Sequence, residues 1–302
     1  DIAGARMVLG IAALFCILLT AFILWKKKQG ALAVCFFLCY LLMNGFMGMF
    51  CIEYVMMLLL TGVISLILVL TDHENTTIEV RRQRVCLLMV ISGALTCFFD
   101  FLTTETLTLT IPMFLEFALE QNVQQSFKQK FKQLFLCGFG WGAAYAGMFL
   151  LKWGISAALF GKEAFMEALS SASSRISGTV YLGDNNLSAK ANIGERFAGA
   201  FGRNISALFP FKNEMNLTAG VLLFVFIIFI SFSIIYLLRT KDFSFAQVGI
   251  YLILGCLPYL RYLVLSNHSY MHYFFTYRAQ MVTVLAILYL TWEYGLKNLR
   301  KK

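Results

Sequence analysis

The sequence predicts an all-α polytopic membrane protein with about nine transmembrane helices and one extracytoplasmic loop of amphipathic helices. Three observations lead to this class. Hydrophobic residues make up 60% of the 302 residues and charged residues 14%, with a mean hydropathy of +0.75, whereas soluble domains are near 25% charged. Long apolar runs with few charges recur along the chain, as expected of membrane-spanning helices. Basic residues gather in short segments between pairs of these runs.

Nine apolar segments approach the length of about 20 residues that a hydrocarbon layer of about 30 Å requires. They cover residues 5–25, 30–49, 52–71, 85–102, 106–120, 134–158, 217–238, 245–265 and 279–296. Residues 30–71 contain one charge, Glu53, so this run of 42 residues must hold two helices. The predicted division is six spans in 1–160, an extracytoplasmic loop in 161–216, and three spans with a basic cytoplasmic tail in 217–302.

The basic clusters predict the orientation. Fifteen of the 25 Lys and Arg residues fall in five segments, 26–28, 72–84, 121–133, 239–244 and 297–302. The positive-inside rule assigns these segments to the cytoplasm, which puts the N-terminus outside and the C-terminus inside the cytoplasmic (inner) membrane. The net charge of +9 is then explained by contact with anionic lipid headgroups rather than nucleic acid. Since the chain begins at Asp1 rather than Met, we expect further sequence before it.

The fifth predicted span is the weakest, because it contains Pro112 and Glu116. We expect a short, tilted or broken helix there. Proline frees a backbone carbonyl, which a neighbouring hydroxyl such as that of Thr108 can satisfy. The following segment, 121–134, has Phe127 and Phe131 one turn apart, which fits an amphipathic helix on the inner surface or an ordinary connecting helix.

The segment 161–216 is polar enough to lie outside the membrane. Its first part has a helical pattern, and a second helical stripe follows at Ile193, Phe197, Ala200, Phe201 and Ile205. We therefore expect two amphipathic helices on the outer face. By itself the loop is too small to bury a core.

Ionisable residues near the ends of apolar spans are the default functional candidates in a membrane protein. Asp100 lies among aromatic residues at the outer end of span four, and Glu105 follows it. Either could bind a substrate hydroxyl, act as a general base or ligate a metal, since a carboxylate in apolar surroundings needs a partner. The alternative is a helix-end acid that caps span five or pairs with an arginine.

A second candidate is the segment between spans eight and nine. It contains Asn267, His268, His272, Tyr277 and Arg278. Aromatic faces with Arg and His bind sugars and phosphates, although the aromatics also fit an interfacial belt. The two histidines, four residues apart, would share one face of a helix, but no acid follows at ligand spacing. No metal or other cofactor is therefore predicted, and the eight cysteines are interpreted as buried apolar residues.

Two isolated cations complete the candidates. Arg261 follows Pro258 within span eight, where a bent helix would make room for a lipid headgroup. It could snorkel, pair with Asp100 or bind a lipid diphosphate. Lys152, next to Trp153 near the outer end of span six, fits a snorkelling lysine better.

Phosphate-binding loops, zinc-protease motifs and serine-nucleophile elbows do not occur, so an energised pump or a soluble-type hydrolase has no support. The motifs FFDFLTTE at 98–105 and NHSYMHYFFTYRAQ at 267–280 resemble a group of uncharacterised polytopic bacterial membrane proteins. That group is distantly similar to the GT-C superfamily of glycosyltransferases, which use polyprenyl-phosphate sugars. The resemblance covers spans four to nine. The superfamily's catalytic acid, in its first outside loop, has no counterpart in this sequence.

The resemblance implies a membrane glycosyltransferase, or its membrane portion, with membrane lipids and a polyprenyl-phosphate sugar as partners. Phosphate or sugar would be bound by Arg261, His268, Arg278 and Lys152, and Asp100 and Glu105 would bind the acceptor or act as base. The alternative is a transporter or lipid-linked-sugar flippase without catalytic activity. It predicts a polar path lined by Asn44, Glu53, Asp100 and Glu116. A third hypothesis is a structural subunit that holds a partner protein in the membrane.

Overall fold

A computed structural model describes residues 2–48, 50–72, 77–100, 102–120, 125–177, 193–208 and 245–296. All regular structure in these ranges is helical. The α-helices are α1 (Ile2–Lys26), α2 (Gly30–Leu42), α3 (Gly45–Gly48), α4 (Ile52–Thr71), α5 (Ile78–Phe99), α6 (Leu107–Leu119), α7 (Phe127–Phe160), α8 (Lys162–Ser177), α9 (Ile193–Ser206), α10 (Phe245–Val264), α11 (Ser266–Met271), α12 (Tyr273–Thr276) and α13 (Met281–Leu290). A 3-10 turn (Tyr277–Gln280) precedes α13 and a π-helical turn (Thr291–Leu296) follows it.

Within the described ranges, six helical stretches are long and apolar enough to cross a membrane. They are α1, α4, α5, α7, residues Ala246–Val264 of α10, and the stretch Tyr273–Glu293 that includes α13. In the described part of the chain all regular structure is thus helical, and these helices fit a multi-pass membrane protein. The predicted spans 30–49 and 106–120 contain shorter helices, α2 and α6, of 13 residues each, about 20 Å long. The predicted span 217–238 lies outside the described residues.

The chain forms two compact units. Unit 1 comprises Asp1–Gly147, Phe232–Cys256 and Arg278–Lys302, and unit 2 comprises Met148–Ser231 and Leu257–Tyr277. Among the described residues, the boundaries between them fall inside α7, inside α10, and between Tyr277 and Arg278 in the 3-10 turn.

Helix α6 is the centre of unit 1. Every residue from Leu107 to Ala118 is buried, and the helix packs against α4, α5 and α13. Around it, α1 packs against α4 and α2. Gly62 permits the close approach of α1 and α4, because a Cβ at this position would lie 3.1 Å from the Cβ of Cys16. Small residues have this role in many membrane helix pairs.

A proline is accommodated inside α6 by a hydroxyl from α5. Pro112 has no N–H to donate to the carbonyl of Thr108, four residues earlier. The Ser92 hydroxyl donates to that carbonyl at 3.0 Å. The Thr108 hydroxyl bonds the Thr96 hydroxyl at 2.7 Å and accepts from the Trp141 indole at 3.1 Å. The predicted rescue of the freed carbonyl by a hydroxyl is confirmed, with Ser92 rather than Thr108 as the donor.

Helix α7 is longer than the predicted sixth span. It runs without a break from Phe127 to Phe160, so the segment 127–134, predicted as an amphipathic or connecting helix, is its first part. Its 34 residues correspond to about 50 Å. In unit 1 it packs closely on α5 at Gly93, where a Cβ would lie 2.1 Å from the carbonyl oxygen of Trp141.

Unit 2 contains the two helices predicted in the polar segment. Helix α8 packs against α11, and α9 packs against α11 and α12. The predicted stripe on α9 forms its packed face, since Ala200 and Ile205 are buried and the Phe201 ring lies 5.3 Å from that of Tyr259.

Candidate functional site

The two histidines predicted to share a helix face are in contact in unit 2. Their ring centroids are 4.6 Å apart. His268 is buried in α11, and His272, at the end of this helix, is half-buried and stacks on the Phe275 ring at 5.2 Å. The spacing of four residues therefore places both rings on one side of a helical turn.

Arg261 lies near the C-terminus of α10, where a cation interacts favourably with the helix dipole. Its guanidinium is buried, and Nη1 donates to the Ser269 hydroxyl at 2.8 Å. This bond connects the end of α10 to α11. Arg261 thus points into unit 2, and not towards the surface as a snorkelling arginine would.

The charges of two arginines contribute to a lowered pKa of His272. Its pKa is held below the usual value of 6.5 by burial, and further by the positive charges of Arg175 on α8 and Arg261 on α10. Each like charge disfavours the protonated imidazole. Both arginines are thus near enough to His272 to disfavour its charge, and an anion bound near the three groups would relieve their repulsion.

Asn267 connects α8 to α11 through its side-chain amide nitrogen, while its side-chain oxygen remains available as an acceptor. It is 1% exposed, and its amide nitrogen donates to the Ser174 carbonyl at 3.1 Å. Among the described residues, its Oδ1 has no hydrogen-bond partner. Such buried, unsatisfied acceptors are rare in proteins, so this oxygen is suited to accept a hydrogen bond from a ligand hydroxyl.

Two residues of α9 also belong to this group, although they were not predicted. The guanidinium of Arg203 lies 3.7 Å from the ring centroid of Tyr270. The buried amide of Asn204 donates to the Ser269 carbonyl at 2.9 Å and accepts from the Thr276 hydroxyl at 2.7 Å. The available sequence signal was their place on an amphipathic helix, next to the apolar stripe, but such a pattern predicts packing and not polar contacts.

The remaining predicted binding residues are distributed over both units. Tyr277 is buried and Lys152 is half-buried on α7, both within unit 2. Arg278 belongs to unit 1, where its guanidinium lies 5.4 Å from the ring centroid of Tyr54. Asp100 and Glu105 also belong to unit 1.

Asp100 caps the turn between α5 and α6. Its Oδ1 accepts hydrogen bonds from the Thr103 N–H at 3.0 Å and from the Thr103 hydroxyl at 2.9 Å. Leu102, within the turn, has φ +60°. Glu105 in the same turn is 4% exposed. The contacts of Asp100 agree with the expected alternative of an acid that caps the entry to the next helix.

Unit 1 also contains a buried network of ion pairs that the sequence did not predict. Arg81 on α5 forms a two-pronged pair with Glu116 of α6, at 2.7 and 3.1 Å. The same guanidinium lies 2.7 Å from Asp72 and 3.4 Å from Glu120, and Lys27 pairs with Asp72 at 2.9 Å. Both glutamates are 1% exposed. Buried carboxylates need such partners, and Arg81 supplies a countercharge to both glutamates.

A buried lysine lies in the same unit. Lys130 of α7 is 2% exposed, and its Nζ donates to the Gln247 side chain at 2.6 Å. Gln247 donates in turn to the Phe117 carbonyl at 2.7 Å. The lysine thus connects α7 with α10 and α6, whereas in the sequence it is one of several basic residues that indicate orientation.

The four residues predicted to line a transport path do not share one environment in unit 1. Asn44 and Glu53 are exposed, and Glu53 accepts a hydrogen bond from the Cys51 thiol at 2.8 Å. Glu116 is buried with Arg81, and Asp100 is occupied in its turn. These contacts give the transport hypothesis no added support.

Among the described residues, no group of three or more His, Cys, Asp and Glu side chains is arranged to hold a metal ion. No protein-family model, curated protein or solved structure matches the chain. The case for a function therefore depends on the geometry of the polar groups themselves.

Proposed function

We propose that this chain is a GT-C-like membrane glycosyltransferase, or its membrane portion, which takes a sugar from a polyprenyl-phosphate donor at the outer face of the cytoplasmic membrane. The observation that supports it most strongly is the polar cluster around α11 in unit 2, where Arg261 donates to the Ser269 hydroxyl and the charges of Arg261 and Arg175 both lower the pKa of His272. In this proposal the N-terminus is outside, the C-terminus is cytoplasmic, and α8 and α9 lie at the outer surface.

A polyprenyl-phosphate sugar is a phosphodiester with one negative charge between a long apolar chain and a polar sugar. The two arginines would bind its phosphate, since guanidinium groups form strong, directional hydrogen bonds with phosphate oxygens. Asn267 Oδ1 would accept from a sugar hydroxyl. The Arg203–Tyr270 pair offers a flat aromatic and cationic surface of the kind that stacks on sugars and phosphates.

The proposed reaction breaks the bond between the sugar's anomeric carbon and the phosphate oxygen and forms a bond to an acceptor hydroxyl. The acceptor's proton goes to a base, and polyprenyl phosphate leaves with an additional negative charge. Arginines at the phosphate would lower the barrier, because this charge develops in the transition state.

His268, Lys152 and Tyr277 remain proposed binding residues in unit 2. Asp100 and Glu105 remain the proposed base or acceptor-binding residues, with Arg278 as a binding residue, all in unit 1.

Binding is measured with the purified chain in lipid nanodiscs and a radiolabelled polyprenyl-phosphate sugar. Arg175→Gln and Arg261→Gln are expected to weaken binding about tenfold each, as for loss of a charged hydrogen bond. Lys162→Gln removes a charge from an exposed position of α8 and is the matched control. Arg261→Gln is expected to remain folded, because the glutamine side chain can still form a hydrogen bond with Ser269. Thermal melting checks this. Equal affinities for the control and both arginine variants would contradict the proposal.

Transfer is measured separately from binding. Asp100→Asn is expected to leave donor affinity unchanged and to abolish transfer of the labelled sugar to an acceptor hydroxyl. Closed vesicles that contain the purified chain and the labelled lipid-linked sugar test the alternative of a flippase. Movement of the lipid-linked sugar across the membrane without any sugar transfer would favour the flippase and contradict the proposal of a glycosyltransferase.

A further inference from the structure

A cavity of about 410 Å³ lies in unit 1 between α5 and α7. Its lining includes Glu79, Arg82, Gln129, Lys132, Gln133 and Leu136. These residues belong to the basic ends of both helices, which the positive-inside rule assigns to the cytoplasmic face. None of them takes part in the proposed glycosyl transfer.

Gln133 is the feature that points to a ligand. Its side chain is 3% exposed and lines the cavity. Neither its amide nitrogen nor its amide oxygen has a hydrogen-bond partner among the described residues. Burial of an amide without hydrogen bonds is unfavourable. A hydroxyl group in the cavity would satisfy both atoms, because it can donate and accept.

The charges at the cavity favour an anion. Arg82 donates from Nη2 to Gln125 at 3.0 Å, while its buried Nε has no partner within the described part of the chain. Lys132 is exposed at the cavity. The carboxylate of Glu79 accepts from Gln83 at 3.5 Å. Two cations and one acid leave a net positive charge, which suits a singly charged phosphodiester.

Exposed apolar residues continue from the cavity along both helices. Leu136 lines the cavity, and Phe139, three residues further on α7, is 67% exposed. On α5, Val90 is 40% exposed and follows the cavity residue Cys86 by four positions. Residues three and four apart share a helix face, so both helices present an apolar track that starts at the polar cavity.

We propose that this cavity binds the glycerol phosphate headgroup of an anionic phospholipid. The phosphate lies at Arg82 Nε and Lys132, the glycerol hydroxyls bond the Gln133 amide, and the acyl chains follow the apolar tracks. The recognised chemistry is a glycerol phosphate ester, and the tracks favour a lipid over a soluble source. This binding site goes beyond the proposed glycosyl transfer and does not depend on it.

Headgroup recognition is tested by native mass spectrometry of the purified chain in detergent with phosphatidylglycerol or phosphatidylcholine. Phosphatidylglycerol is expected to be retained preferentially, and Arg82→Gln and Lys132→Gln to weaken its binding about tenfold each. Lys128→Gln removes an exposed charge one turn away on α7, outside the cavity lining, and is expected to change binding by about twofold or less. No preference for phosphatidylglycerol, or an equal loss in the control, would overturn the proposal. Displacement of the lipid by equimolar glycerol 3-phosphate would also overturn it, in favour of a soluble ester.

Gln133→Leu separates ligand binding from folding. Without phosphatidylglycerol the variant is expected to melt at the same temperature as the parent or higher, since no hydrogen bond to the protein is lost. The rise in melting temperature that phosphatidylglycerol causes should shrink, because a ligand stabilises in proportion to its affinity. Cys86 gives a local readout, as phosphatidylglycerol should slow its alkylation by maleimide. An unchanged lipid-induced rise in the variant, or unprotected Cys86 in the parent, would contradict the proposal.

Discussion

The Ser92 hydroxyl donates a 3.0 Å hydrogen bond to the Thr108 carbonyl, the acceptor that Pro112 leaves without its N–H inside α6. This bond satisfies a polar atom at the centre of unit 1, where water is excluded. It also links α5 directly to α6, because the donor and the acceptor belong to different helices.

Replacement of Ser92 by alanine is expected to destabilise the protein by about 1 kcal/mol, since the Thr108 carbonyl would be buried without a donor. Unfolding in detergent by heat or by SDS measures the loss. Ser65→Ala is the matched control, because Ser65 is 0% exposed and its hydroxyl has no hydrogen-bond partner among the described residues. Equal melting temperatures for the two variants would contradict the role of Ser92.

Loss of Arg81 is expected to be the most damaging change in the ion network. Arg81→Met leaves Glu116, Glu120 and Asp72 without their shared cation, at a cost of about 3 kcal/mol or more. Glu116→Gln should cost less, because the arginine retains two acids. Lys27→Gln breaks a pair with a 29% exposed side chain and should cost about 0.5 kcal/mol. Denaturant unfolding curves give the order, and a Lys27 variant as unstable as the Arg81 variant would contradict it.

The thiols of Cys86 and Cys137 should form a disulfide between α5 and α7 when diamide oxidises the folded protein. Their sulfur atoms are 3.0 Å apart, so a small movement suffices. Diamide accepts the two electrons and two protons as the S–S bond forms. Mass spectrometry of proteolytic peptides detects the cross-link. Cys35 and Cys39 are the control, because Cβ atoms one helical turn apart are about 5–6 Å from each other, beyond disulfide range. Failure of Cys86 and Cys137 to cross-link would contradict the packing of α5 on α7.

Affinity for the polyprenyl-phosphate sugar should rise as pH falls below 6.5. The pKa of His272 is lowered by burial and by Arg175 and Arg261, and a bound phosphodiester would raise it again, so binding takes up a proton. Without ligand, the pH dependence concerns the stability of the fold, and it has the opposite sign. The unfolded chain binds the proton more readily, so stability falls as pH decreases through 6.5. Binding titrations of the parent and His272→Gln test the coupling. The variant should lose the pH dependence, and an identical slope in both proteins would exclude His272 as its source.

The membrane class and most helix positions were predictable, because hydropathy and basic clusters are local properties of the sequence. The lengths of α2 and α6 were not. The apolar run at 30–49 includes Asn44, whose φ of +51° separates α2 from α3. The predicted span 106–120 contains only the 13-residue helix α6. Hydropathy does not distinguish a helix buried among protein neighbours from one surrounded by lipid.

Long-range polar contacts were the least predictable part. Arg81 and Glu116 are 35 positions apart, and Gln247 bonds Lys130 across 117 positions. No periodicity relates such residues. The histidine pair was predictable because its two members are four apart on one short helix.

The burial of α6 also has a consequence for biosynthesis. A 13-residue helix with an acid at Glu116 is too short and too polar to enter a bilayer independently, because a charged residue at membrane depth costs about 2.5–3.5 kcal/mol or more. It must be received by neighbours that are already inserted, and Arg81 on α5 supplies the countercharge. We therefore expect α6 to insert after α4 and α5, the helices on which it packs.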